Sequence, residues 1–273
     1  MRVIEALVRD TFREALARKI FWAFFLSSTA LLLFFLIVMR VDVVQGMIAS
    51  VTIFGKTKGD VNVEDMVLKA QGGLSMFLYS VGMGLAIFAS AGLISAVFEP
   101  GRVELLLSKP VARHTILMGR YLGNLLIVGT NLFYLVMGFW VIFGFKTGVW
   151  RPHLLIAAFV TLGVFAVMLA FILLTGVVWE SAAVSILATF ALVVMSLVLA
   201  AKPLFERLLS SEWSRGLVRA LYYVLPKLPD VAKTLGQIIQ GRPVGDWMPI
   251  WSTALFGIVT LCSGLWIFSK KNF

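Results

Sequence analysis

The 273-residue chain is 60% hydrophobic and 14% charged, with a mean hydropathy of +0.96 and a net charge of +10. Soluble domains carry about 25% charged residues, so there is too little charge here to cover a water-exposed surface, and a soluble globular fold is excluded. The basic excess shows no stripe of interleaved aromatics, which argues against a nucleic-acid partner and leaves membrane orientation and anionic lipid head groups as its use.

Residues 1–19 open the chain with Ile4, Leu7, Val8, Phe12, Ala15 and Leu16 at helical spacing, and with Glu5, Arg9, Asp10, Arg13 and Arg18 on the opposite face. The pairs Glu5–Arg9 and Glu14–Arg18 are favourable at i,i+4. This is the pattern of an amphipathic helix lying in the membrane interface; the alternative is a helix packed on a partner. Spanning the hydrocarbon core takes about 20 apolar residues as a helix. Six uncharged runs meet that length: 20–39, 72–98, 121–145, 154–179, 182–201 and 247–269. They are continuous rather than alternating, so helices and not barrel strands are expected. The fold class is therefore all-α, a polytopic membrane protein with six transmembrane helices in a single transmembrane domain, 1–273.

Arg2, Arg9, Arg13, Arg18 and Lys19 precede the first run, whereas only Arg40 follows it closely. That asymmetry places the N-terminus in the cytoplasm, and six crossings return Lys270 and Lys271 to the same side. The basic residues summed over all loops divide almost evenly, so the assignment rests on the first span. The same run is too long for the apolar region of a cleavable leader, and no small-x-small site follows it. In the 40–71 loop, Gly55 and Gly59 mark turns. Gly55-Lys56-Thr57 resembles the end of a phosphate-binding loop, but Ser50 stands where that loop needs its first glycine, and nucleotide binding by this chain is rejected.

The second run is rich in small residues, with Ser80, Gly84, Phe88, Gly92 and Ala96 on one i+4 row. Close helix packing follows, either inside the subunit or against a second copy. Ser90, Ser95, Asn124, Asn131, Thr175 and Ser185 are polar positions inside the spans, and interhelical hydrogen bonding is their simplest role. No charged residue lies inside a run, which removes intramembrane aspartyl and zinc proteases and weighs against a proton-coupled carrier. Between the fourth and fifth runs, Glu180 and Ser181 read as a turn and N-cap. Segment 202–246 reads as two short amphipathic helices on the outer face, broken at Pro226 and Pro229, with Asp230 capping the second and Gly241 ending it. Cys262 is the sole cysteine and forms no internal disulfide, and His114 and His153 stand apart from any carboxylate or cysteine cluster. No metal site and no catalytic residue are expected.

The segment 99–120 carries the most information. Under this topology it is cytoplasmic: Pro100 and Gly101 turn the chain out of the membrane, 102–108 forms a short helix exposing Leu105 and Leu106, and Pro110 stops it. Such a helix suits a groove on a soluble partner, or else lies back on the membrane surface. Glu99, Gly101, Glu104, Leu105, Leu106, Leu107, Ser108, Lys109, Pro110, Arg113, Ile116, Leu117, Gly119, Arg120 and Gly123 match a pattern of ABC transporter type-2 permeases. In that family a Glu ends the second span, followed by Gly, a Leu-Leu helix, Ser-Lys-Pro, an Arg, and an Ile-Leu-x-Gly-Lys/Arg start to the third span. Pro100 and Arg102 depart from the usual residues beside the glycine. The chain thus resembles that family, in layout over its whole length.

The resemblance implies the permease subunit of an ATP-driven exporter in a bacterial or archaeal plasma or inner membrane. It implies as partners a separate ABC ATPase, which holds ATP and Mg while this chain holds no cofactor, and a second permease copy, identical or related, embedded in lipid. Segment 99–120 becomes a coupling loop in which Glu99, Gly101, Arg102, Glu104, Leu105, Leu106, Ser108, Lys109, Pro110 and Arg113 meet or position the ATPase. Glu99 is expected to pair with Arg13 or Arg18 and so anchor the loop to the N-terminal helix. A secondary carrier and a non-transporting membrane scaffold are the alternatives.

Overall fold

A computed structural model of the chain describes residues 2–17, 19–38, 40–44, 48–53, 56–95, 112–208 and 211–271. Helix α1 (Arg2–Ala17) meets α2 (Lys19–Val38) at a bend of 70°, so the amphipathic helix turns away from the axis of the first apolar one. Beyond α2, the segment read from sequence as a loop with turns forms a three-stranded antiparallel meander: β1 (Arg40–Val44), β2 (Ile48–Ile53) and β3 (Lys56–Asn62). The register pairs Arg40 with Thr52 and Ile48 with Asn62, and shifts between Ala49 and Val51. Runs such as Val-Asp-Val-Val and Ile-Ala-Ser-Val-Thr-Ile are rich in β-branched side chains, which favour a pleated surface. Among the described residues the remaining elements are all helical.

Asn62 then caps α3 (Val63–Phe77), its side-chain oxygen accepting from the backbone N–H groups of Glu64 and Asp65 at 2.9 and 3.3 Å. A π-helical turn, Leu78–Gly82, joins α3 to α4 (Met83–Ser95), so the second span begins nine residues before the apolar run does. Next come α5 (Arg113–Thr147), α6 (His153–Trp179) and α7 (Ala182–Leu199). Three shorter helices follow, α8 (Lys202–Leu208), α9 (Glu212–Val224) and α10 (Leu228–Ile239), before α11 (Met248–Lys270) closes the fold. Among the described residues five helical segments are long and apolar enough to cross a membrane, and up to six if the bent pair α1–α2 supplies one. The 35 residues of α5 extend roughly 52 Å at 1.5 Å per residue, well beyond a hydrocarbon core of about 30 Å.

Polar contacts identify the two ends of the bundle. At one end, the Arg113 guanidinium donates to the Lys271 carbonyl, and Lys271 pairs with Glu180 and donates to the Val177 carbonyl. The start of α5, the α6–α7 turn and the C-terminus of α11 therefore lie together, next to α1. Glu180 holds a left-handed conformation (φ 52°) that ends α6, and Ser181 Oγ accepts from the Val184 N–H to start α7. At the other end, Arg151 bridges Glu64 at 2.6 Å and reaches the Gln240 carbonyl, while Lys146 donates to the Leu36 carbonyl at 2.6 Å.

Helix α6 forms the centre, packed by α4, α5, α7, α10 and α11, with Met168, Leu169, Ala170, Ile172 and Leu173 fully enclosed. A Cβ on Gly257 would fall 2.6 Å from Val167, and one on Gly264 2.7 Å from Leu173, so these two glycines admit α11 against α6.

The 202–246 segment departs from the two-surface-helix reading. Helix α9 buries no residue, but α10 buries Leu228, Val231, Thr234, Leu235, Ile238 and Ile239 against the bundle. Its start is held by buried hydrogen bonds: Tyr79 donates to the Leu228 carbonyl at 2.7 Å, and Ser196 Oγ donates to the Pro226 carbonyl and accepts from the Leu228 N–H. Asp230 lies in the first turn of α10 rather than at its cap, and accepts from the Tyr222 hydroxyl at 2.8 Å and from Lys233. Burial and that hydrogen bond keep the Tyr222 hydroxyl protonated above the usual tyrosine range, and burial lowers the Lys227 ammonium beside it.

Candidate functional site

The junction between α1 and the first turns of α5 joins the N-terminal amphipathic helix to the helix that follows segment 99–112. Gly119 and Gly123, four residues apart, present a bare strip of α5 backbone. A Cβ at Gly119 would meet Leu7 at 2.6 Å, and one at Gly123 would meet Thr11 at 2.6 Å. Thr11 and Ala15 are consequently buried, and the Thr11 hydroxyl satisfies itself on the Leu7 carbonyl. The docking face of α1 is thus the row Leu7, Thr11, Ala15, rather than the whole apolar stripe.

Arg120, between the two glycines, is buried with its side chain only 3% exposed. It forms an ion pair with Glu14 at 2.5 Å and with Asp10 at 3.4 Å, both from α1. A buried guanidinium without such partners would be strongly destabilising. The pair therefore ties α1 to α5 electrostatically where the glycines bring the helices into contact, and Arg113 ties the first turn of α5 to the end of α11.

Of the residues singled out from sequence, Glu99, Gly101, Arg102, Glu104, Leu105, Leu106, Ser108, Lys109, Pro110 and Arg18 lie outside the described residues. Arg13 is on the exposed side of α1, and Arg113 is half-buried at the start of α5. Among the described residues, Arg120 with Glu14 and Asp10 anchors α1 to the start of α5. Sequence reasoning overlooked it because Glu14 had already been assigned to Arg18 within its own helix. The Gly-x-x-x-Gly spacing of 119 and 123 was the available signal.

Directly against the junction, a cavity of about 450 Å³ opens between α2, the π-helical turn, α4, α5 and α6. Ala15 of α1 contributes to its wall. Its lining is mostly aromatic and aliphatic, with Ser27, Ser28, Ser90, Asn124, Asn131 and Thr161 as the polar members and no charged side chain. Of the six polar span positions noted from sequence, Ser90, Asn124 and Asn131 gather here, while Thr175 and Ser185 lie elsewhere and bond to their own helix backbones. Among the described residues no group of three or more His, Cys, Asp or Glu side chains is placed to hold a metal ion.

A family model described as ABC-2 family transporter protein matches residues 6–210, from α1 through segment 99–120 to the end of α8. No curated protein and no solved structure matches the chain.

Proposed function

This chain belongs to the ABC-2 family of transporter proteins, and we propose that it is the permease subunit of an ATP-driven exporter that works with a separate ATPase and a second permease copy. ATP and Mg are held by the ATPase. Closure of the paired ATPases on ATP pushes the 99–120 loop, to which α4 and α5 are directly joined. Because Arg120 and the two glycines fasten α1 to α5, the interfacial helix travels with the loop, and the spans tilt as a connected set. The driving energy comes from the different ATP affinity of the two ATPase states, transmitted through this chain. Leu105, Leu106 and Lys109 make the ATPase contact, with Glu99, Gly101, Arg102, Glu104, Ser108, Pro110 and Arg113 shaping the loop that presents it. The N- and C-termini face the cytoplasm.

What supports this reading is the α1–α5 junction: a buried charge and two glycines are concentrated where force from the loop would enter the membrane domain. The test is a mild-detergent pull-down of the tagged chain from its native membrane. A stoichiometric soluble ATPase is expected to accompany the wild type and to be lost on Leu105→Asp/Leu106→Asp, with the permease still monodisperse. An ATPase retained by the double variant would overturn the contact assignment, and a chain recovered with no ATPase would overturn the coupling.

A further inference from the structure

Threonine hydroxyls at six described span positions satisfy themselves on their own helix. Thr29, Thr130, Thr161, Thr175, Thr189 and Thr260 each donate to the carbonyl one turn back. Ser90 does not: its Oγ is buried, 1% exposed as a residue, and has no hydrogen-bond partner among the described residues. Across the same cavity, Asn124 and Asn131 lie seven residues apart on one face of α5. Each spends its amide N–H on a carbonyl of its own helix, Arg120 at 3.1 Å and Ile127 at 3.4 Å. Since a carbonyl can only accept, the NH₂ side must face it, and this leaves both Oδ1 atoms turned away from the backbone. Both are buried and unpartnered among the described residues. Three residues that line one cavity therefore each carry a buried oxygen with unmet acceptor capacity in an otherwise apolar setting, where an unmet hydrogen bond is costly.

The size and the walls restrict what fits. A volume of about 450 Å³ lies within the range of small-molecule sites. Phe24, Phe77, Met83, Leu85 and Phe165 supply apolar walls, and no side chain there neutralises a charge. Ala23, Ser27, Phe77 and Leu85 line the cavity and are exposed, so the cavity is open where α2 faces the α3–α4 span. Helix α2 leaves this slot because it packs on α1 and α5.

We propose that this cavity is a binding site for a neutral, hydroxyl-bearing amphiphile entering from the bilayer, its hydroxyls donating to Asn124 and Asn131 and meeting Ser90, its chain lying against the aromatic walls. An anionic or cationic head group would find no counter-charge, and a plain hydrocarbon would leave the three oxygens unmet. The site lies within one subunit and involves residues separate from the ATPase-contacting loop, so it does not depend on the transport reading.

The test uses the full chain, purified in mild detergent with whatever subunits accompany it, and a photoactivatable analogue of a monoacylglycerol as probe. Labelling is expected on peptides from α2, α4 and α5, competed by monooleoylglycerol but not by hexadecane or oleate at equal concentration. Asn124→Leu/Asn131→Leu is expected to weaken binding at least about tenfold, the loss of two hydrogen bonds. Ala86→Phe, which fills the space and leaves the polar atoms in place, is expected to abolish labelling. Size-exclusion profiles check that both variants remain folded. Labelling that survives both variants, or that hexadecane or oleate displaces equally well, would overturn the proposal. The result is read without reference to ATPase recovery, so either reading can fail alone.

Discussion

Arg120 carries a permanent charge into a helix contact where its side chain is almost wholly enclosed, and Glu14, itself only 16% exposed, is the nearer of its two carboxylate partners. Removing the guanidinium alone would leave a carboxylate in a largely desolvated position. Losing one partner of a buried pair costs about 3–5 kcal/mol, whereas replacing both partners is often nearly neutral. Arg120→Met is therefore expected to lower the midpoint of thermal unfolding in detergent sharply, and Glu14→Gln/Arg120→Met to recover most of the loss. A double variant no more stable than the single one would show that the pair contributes little. The direction of the partner was not evident from residue spacing, because Glu14 also suits Arg18 in its own helix. Only the close approach at Gly119 and Gly123 brings Arg120 within reach.

At the scale of elements, α10 depends on hydrogen bonds supplied by other helices. A single hydroxyl, Ser196, serves both the Pro226 carbonyl and the Leu228 N–H, at 2.7 and 3.0 Å. The π-helical turn places Tyr79 so that it donates to the Leu228 carbonyl. Pro226 follows the end of α9 and Pro229 stands in the first turn of α10, where a proline is tolerated, yet the backbone groups between the two helices are buried and must be paired. Ser196→Ala leaves one donor and one acceptor unsatisfied, each costing about 1–3 kcal/mol. Faster amide hydrogen exchange is expected across 228–239, with α5 and α6 unchanged. Exchange confined to α9 would argue that Ser196 is not what holds α10 in place.

Over the whole molecule, the ion pairs at Arg113, Lys271 and Glu180 mark one end and the contacts of Arg151 and Lys146 the other. Helix α11 runs from the second end to the first, so Lys270 shares an end with α1 while Gly245 lies at the opposite one. In a Cys262→Ser background, Glu5→Cys and Lys270→Cys are expected to behave alike towards a membrane-impermeant maleimide, and Gly245→Cys oppositely. With cytoplasmic termini, only the 245 position labels in intact cells. Equal labelling of 245 and 270 would refute an odd number of crossings between them.

The sequence alone determined the class of fold, because hydrocarbon cannot hydrogen-bond a backbone and long uncharged apolar runs then have to be helices. The Gly, Leu-Leu and Ser-Lys-Pro pattern of segment 99–120 is local in the chain, and it resembles that of a family the chain proves to belong to. The β meander was missed because its strands are short and lie between two apolar runs, with Gly55 and Gly59 read only as turns, and pairing between strands is not a local property. Tertiary structure decided the rest. Whether an amphipathic helix lies on the surface, as α9 does, or enters the bundle, as α10 does, depends on which neighbours offer partners to its ends. The six polar span residues had equal standing as text, and only packing separated Thr175 and Ser185 from Ser90, Asn124 and Asn131, which line the cavity. Those three are brought to one cavity by helices far apart in sequence, and periodicity along a single chain carries no information about that meeting.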